Sequence, residues 1–215
     1  MKRILKTLKI IKRQVIGFNI PSVSLVSERK DPYLVLISCI LSLRTKDRTT
    51  IQASERLFRV ASNPYKMLKV SKARLERLIY PVSFYRNKAG AILETSRKIT
   101  EDFSGKVPDR LEDLLSLKGV GRKTANLVLG LAYKIPAVCV DTHVHRVSNR
   151  LGWVKTKSPQ ETEEALKFIF PRKYWIDLNT ILVTFGQNIC LPVSPYCSKC
   201  GVFKFCKRMG VSRFR

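Results

Sequence analysis

Two sets of residues in this chain could do chemistry by their type and spacing. The first is Lys123, just past the turn Gly119-Val120-Gly121, with Asp141 downstream in Val140-Asp141-Thr142-His143. Two glycines permit positive φ and leave no side chains over a turn, so successive N–H groups can face one phosphate. A helix starting after the turn adds its positive end, and such a contact holds nucleic-acid backbone without reading bases. A lysine enclosed beside a gripped phosphate can attack carbon as an amine. An aspartate opening the next helix caps it, and its carboxylate can also steady developing positive charge. The second set is Cys190, Cys197, Cys200 and Cys206, with the spacing C-x6-C-x2-C-x5-C. Four thiolates this close can converge on tetrahedral zinc or on a cubane iron–sulfur cluster. The single C-x2-C and the uneven spacing suit the larger centre; both remain open on spacing alone.

Composition narrows the partner. Lys and Arg number 41 against 16 Asp and Glu, a net charge of +25 spread along 215 residues. Such an excess costs self-repulsion in the folded state, and a polyanion offsets it through counterion release. Nucleic acid is the expected partner. Cys39 and Cys139 lie in apolar runs as core residues, no secretory pattern opens the chain, and the cysteines suggest a reducing compartment. The longest apolar run, Tyr33 to Leu43, is too short to span a bilayer, so a soluble protein is expected.

The elements that must carry these residues read as helices throughout. Ile4, Leu8, Ile11 and Val15 give an N-terminal amphipathic helix. Asp31-Pro32 opens a buried helix through Leu43, and a polar break spans Arg44 to Asp47. Further helices run from there to Asn63-Pro64, from Ser71 past Ile79, and from Ala89 to Phe103, with a connection over 81–87. Leu111, Leu114 and Leu115 enter the GVG turn, and Thr124 to Tyr133 leave it. Asp141 starts a helix to about Gly152, Ser158-Pro159-x-Glu161 starts another to about Phe170, and Trp175 to Ile189 delivers Cys190. His143 and His145 are two apart, a poor metal pair on a helix, and read as structural. The fold class is all-α.

The cysteine spacing at the end of a basic helical chain resembles the 4Fe-4S loop of the endonuclease III family of DNA glycosylase/AP lyases. LKGVGRKTAN (117–126) resembles that family's helix-hairpin-helix, with Lys118 where proline is common, and Val140-Asp141-Thr142-His143 matches its V-D-T-H motif. Ser42-Leu43-Arg44-Thr45-Lys46-Asp47 stands for its S-x-Q-T/A-x-D segment, with Arg44 at the glutamine. Val82 to Ala89 resembles its G-L/F-Y-x-x-K-A loop, with Ser83 at the usual glycine and Phe84 as the wedge.

The resemblance implies a six-helix barrel lobe with the hairpin at 25–135. A cluster lobe would comprise 1–24 and 136–215, with a DNA-binding cleft between the two. It implies Lys123 as nucleophile and Asp141 as its charge-managing partner, since monofunctional relatives lack this lysine. It implies DNA contacts from Gly119, Val120, Gly121, Arg122, Arg44 and Phe84. The first cysteine loop, 191–196, carries no Lys or Arg, so Lys199 and Lys204, with Lys207 and Arg208, stand in for phosphate contact there. The cofactor implied is a 4Fe-4S cluster on Cys190, Cys197, Cys200 and Cys206, structural rather than chemical. The activity implied is removal of oxidised pyrimidines from double-stranded DNA, with cleavage 3′ to the abasic site. The protein would be a cytoplasmic, nucleoid-associated monomer. A related glycosylase for mismatched uracil, thymine or adenine, and a non-catalytic DNA binder, are the alternatives.

Overall fold

In the computed structural model, which describes residues 2–27 and 31–215, all regular elements are α-helices or short 3-10 turns. The chain divides into two compact units, Ser22–Ile135 and Met1–Pro21 together with Pro136–Arg215. Helix α1 (Lys2–Gln14) opens the second of these and buries Leu8 and Ile11 at the predicted helical spacing.

The unit Ser22–Ile135 is built around one helix. After α2 (Ser22–Ser27), α3 (Pro32–Ser42) starts at Asp31, whose Oδ1 accepts from Tyr33 N at 2.8 Å and Leu34 N at 3.2 Å. Proline at the first helical position loses nothing, because that N–H has no partner in a helix. Every residue from Tyr33 to Leu41 is buried. Helices α4 (Asp47–Val60) and α5 (Pro64–Leu68) follow, then α6 (Lys72–Ile79) and α7 (Tyr85–Asp102). Finally α8 (Leu111–Leu115) and α9 (Arg122–Leu131) enclose the glycine turn. Of these, α2, α4, α7 and α9 all pack on α3.

Two short helices, α2 and α5, lie where the sequence suggests none. Asn63-Pro64, read as a stop, is also a start: Asn63 Oδ1 accepts from Lys66 N at 2.8 Å. The connection expected over 81–87 is shorter than that, because Phe84 takes the N-cap position of α7 and its carbonyl accepts from Lys88 N at 3.0 Å.

In the other unit, α10 (Thr142–Leu151) runs from Asp141 to Gly152, which ends it at φ 71°. There α11 (Pro159–Ile169) starts at Ser158, whose Oγ accepts from Glu161 N at 3.2 Å. The returning Glu161 carboxylate accepts from Lys157 N at 3.0 Å, one residue ahead of the cap. The Lys157 N–H, and after it the Ser158 hydroxyl donating at 3.1 Å, hold the Glu161 carboxyl below its ordinary range. Against α10 packs α12 (Trp175–Asn188), and a Cβ on Gly186 would lie 3.0 Å from His143 Nδ1, so glycine is what permits the close approach. Val144, Val147, Leu166, Leu178, Leu182 and Phe185 form the core with Leu8 and Ile11 of α1. Among the described residues, no helix is long and apolar enough to cross a membrane.

The fold's dependence on α3 gives a first prediction. Ile37 is fully buried in the middle of α3. Ile37→Ala should lower unfolding free energy by about 2–5 kcal/mol, lost transfer plus cavity. Chemical denaturation measures it, and a change under 1 kcal/mol would remove α3 as the axis of this unit.

Candidate functional site

The glycine turn is held from below and open above. Leu117 and Val120 are buried, while Lys118, Gly119 and Gly121 are exposed. Val120 N donates to Leu117 O at 3.2 Å, and buried Thr95 of α7 donates from Oγ1 to Lys118 O at 2.8 Å. Gly119 sits at φ 75°, the left-handed region that a side chain disfavours. Gly121 is the N-cap of α9, whose first turn contains no acid and begins with Arg122 and Lys123. Cations at a helix N-terminus oppose its dipole by about 0.3–1 kcal/mol each. The end of α9 is therefore built for an anion that this unit's own first turn does not supply. Lys123 is exposed. Burial pushes the Cys39 thiol of α3 up to about 12, and the Lys123 charge pulls against it, which places Lys123 near the last turn of α3.

That last turn leads to Arg44. Arg44 and Phe84 both adopt left-handed backbone, φ 54° and φ 56°, and both are exposed, Phe84 to 60%. Each such residue is disfavoured by about 1–2 kcal/mol. The Arg44 guanidinium carbon stands 5.8 Å from the Phe84 ring centroid, so the two residues that the resemblance assigns to the base gap form one exposed pair. Under them lies Lys88, only 7% exposed. Its Nζ donates to Leu41 O at 2.8 Å, Leu43 O at 2.6 Å and Thr45 Oγ1 at 3.1 Å, while Ser83 N donates to the same Thr45 oxygen at 3.2 Å. Burial lowers the Lys88 pKa to about 8. Sequence reasoning matched Lys88 to the lysine of the G-L/F-Y-x-x-K-A loop but gave it no role, although it falls at the core spacing of Ile92 and Ile99, where a lysine is out of place.

Asp141 is fixed by the helix it caps. Its Oδ1 accepts from His143 N and Val144 N, both at 2.9 Å. Along α10, Arg146 donates to Gly186 O at 2.9 Å and Cys190 O at 3.0 Å. One turn later, Arg150 donates to Leu191 O at 2.6 Å and Pro192 O at 2.7 Å, and its Nη1 lies 3.6 Å from Cys190 Sγ. Thus α10 carries Asp141 at one end and ties down the first cysteine at the other. Arg150 was missed; a lysine-or-arginine position among the apolar Val144, Val147 and Leu151 was the available signal. His143 contacts Arg146, and His145 Nδ1 pairs with Thr162 Oγ1 at 2.6 Å, both inside this unit.

Cys190, Cys197, Cys200 and Cys206 are thiols that line one cavity with Leu151, Phe185 and Arg150. Burial raises the pKa of Cys200 to about 11, with a backbone N–H from Val202 pulling the other way and the other three cysteines adding to the rise. Cys197 and Cys206 are raised by burial too, with Cys190 contributing to both. Four thiols lining one cavity are a donor set that a bound metal centre would deprotonate. Among the described residues, no group of three or more His, Cys, Asp or Glu side chains is drawn close enough to hold a metal ion. Gln14 of α1 braces this loop, donating to Lys199 O at 2.6 Å and accepting from Gly201 N at 2.9 Å. Lys199 and Lys204 are exposed on it. Beside the 191–196 segment, which has no cation of its own, Arg215 donates to Ser194 O at 3.1 Å and stacks 4.2 Å from the Tyr196 ring.

Known proteins resemble this chain in sequence and in fold. The family model for HhH-GPD superfamily base excision DNA repair proteins matches residues 37–172. Endonuclease III of Thermotoga maritima is 51% identical over 177 residues, covering 82% of this chain and 83% of that protein. A non-covalent endonuclease III–DNA complex superposes with a TM-score of 0.87 at 32% identity, covering 96% of this chain and 95% of that one. A trapped covalent endonuclease III–DNA intermediate gives 0.85 at 31% identity, again over 96% and 95%.

The turn makes its own prediction. The nearest atom to an added Cβ on Gly119 would be Ala91 Cβ at an ordinary 3.4 Å, so Gly119→Ala should act through backbone strain alone. It should lower stability by about 1–2 kcal/mol. Equilibrium denaturation checks this; an unchanged midpoint would show that the turn does not need a left-handed residue.

Proposed function

The chain belongs to the HhH-GPD superfamily of base excision DNA repair proteins, and from that premise we propose a bifunctional DNA glycosylase/AP lyase with Lys123 as nucleophile. The observation that carries the reading is Lys123 itself, exposed in the first turn of a helix whose glycine cap faces outward. The turn grips a phosphate, and Arg44 with Phe84 occupies the space of the displaced nucleotide. Lys123 Nζ forms a bond to the sugar C1′ as the glycosidic bond breaks, and the base departs with its electron pair and a proton. Ring opening leaves a Schiff base between Nζ and C1′. Loss of a C2′ proton then expels the 3′ phosphate, and water releases the lysine.

Asp141 manages the charge in this sequence. Its carboxylate offsets the cationic sugar and takes or returns the Lys123 proton. The cap bonds to His143 N and Val144 N hold it in one orientation while it does so. We assign the substrate as oxidised pyrimidines in duplex DNA, on the likeness to endonuclease III.

Cys190, Cys197, Cys200 and Cys206 would hold a 4Fe-4S cluster, which supplies a structural centre that fixes the loop bearing Lys199 and Lys204. Arg150 orients that loop through the Leu191 and Pro192 carbonyls.

Borohydride trapping on abasic-site DNA tests the lyase. The native chain should form a covalent adduct and Lys123→Gln none; an undiminished adduct in the variant overturns the assignment. Asp141→Asn keeps a good helix cap, since Asn and Asp cap about equally. It should nevertheless slow base release on the order of 10²–10⁴-fold, the range of general acid–base catalysis. Unchanged turnover with intact helicity would strip Asp141 of its chemical role. For the cysteines, purified protein should carry iron and sulfide and absorb in the visible, and Cys200→Ser should lose both. Stoichiometric zinc in place of iron would refute the cluster.

A further inference from the structure

We propose that Lys88 is a positioning residue that holds Arg44 and Phe84 as one two-pronged element, so that the pair enters the nucleotide gap together. The inference rests on the reading of those two residues given above. Neither prong is regular structure: Arg44 follows the end of α3 and Phe84 precedes the start of α7, both with left-handed backbone. Nothing in local propensity favours such a residue at either place, so something adjacent must over-determine both. The Lys88 ammonium touches both sides. It donates to Leu41 O and Leu43 O on the approach to Arg44, and to Thr45 Oγ1 on the exit. Thr45 Oγ1 in turn accepts from Ser83 N, the residue before Phe84. Lys88 N completes the circuit by donating to Phe84 O at 3.0 Å.

All three acceptors of the ammonium are neutral, so the group is not there to satisfy an ion pair. The side chain has three N–H donors and places all three. A methionine of similar length would leave the buried carbonyls without a donor and release the link between the prongs. Arginine keeps the charge but not the compact three-way geometry.

The experiment is a double-mutant cycle read by extrusion of a fluorescent base analogue, alongside borohydride trapping on abasic-site DNA. Phe84→Ala alone must slow extrusion; if it does not, the wedge reading fails and this proposal falls with it. Given that, Lys88→Met should slow extrusion by about tenfold or more, the scale of one lost charge-assisted hydrogen bond. In the Phe84→Ala background the same change should add little, because its effect passes through the prong. Lys88→Arg, read in the same way, should recover part of the rate and guards against a Met variant that folds poorly. Independent, additive effects of Lys88→Met and Phe84→Ala overturn the proposal, as does native extrusion by a folded Lys88→Met. Trapping on preformed abasic sites should fall less than extrusion of an intact base; equal losses would mark Lys88 as a general scaffold residue and sink the coupling.

Discussion

A helix buried on every side cannot solvate its own ends, and that constraint shapes the unit Ser22–Ile135. Nine successive residues of α3, Tyr33 to Leu41, are buried, which leaves no polar face to carry function. The last carbonyls of any helix lack intrahelical partners, and leaving them buried and unbonded is unfavourable by about 1–3 kcal/mol each. In α3 they are met by Ser42 Oγ at Cys39 O and by the Lys88 ammonium at Leu41 O and Leu43 O. The solution places a cation inside the protein, lowers its pKa to about 8, and forces the chain to turn sharply at Arg44. Exposed side chains with unusual backbone at that turn are thus a consequence of how the core helix is finished.

The same device recurs in the other unit. There α12 is the buried helix, and its terminal carbonyls at Gly186 and Cys190 accept from Arg146 of α10. Arg150, one turn on, carries the pattern into the cysteine loop. In each unit a cation from a neighbouring helix completes the C-terminal end of a buried one, and the candidate functional segment follows directly. Helix ends are where backbone groups need outside partners, so they are where side chains and ligands can be organised with little additional strain.

How much of this was legible in the sequence follows from how local each cause is. Asp31-Pro32, Ser158-Pro159 and Gly152 act within a few residues, so the helix limits they set agree with the structure to a residue or two. Asp141 as a cap, and the nearness of the four cysteines that line one cavity, were readable for the same reason. Lys88 and Arg150 were not, because their partners lie far along the chain, at Leu41 and at Leu191. Core spacing marks both as out of place, but only the packing shows what each one bonds. Helix α5 was hidden by a different ambiguity: Asn63-Pro64 signals both a stop and a start, and five residues give too little periodicity to choose.

The hairpin adds an electrostatic step to that geometry. Arg122 and Lys123 stand at the positive end of α9, where the backbone dipole already favours an anion. The net charge of +25 adds to the pull that this helix end exerts on an anion. A phosphate in the turn would relieve the dipole and the side chains together. Binding that rests on such contacts is screened by salt and would weaken steeply as salt rises. A sequence that keeps two cations there, with glycines in front of them, is arranged for the bound state.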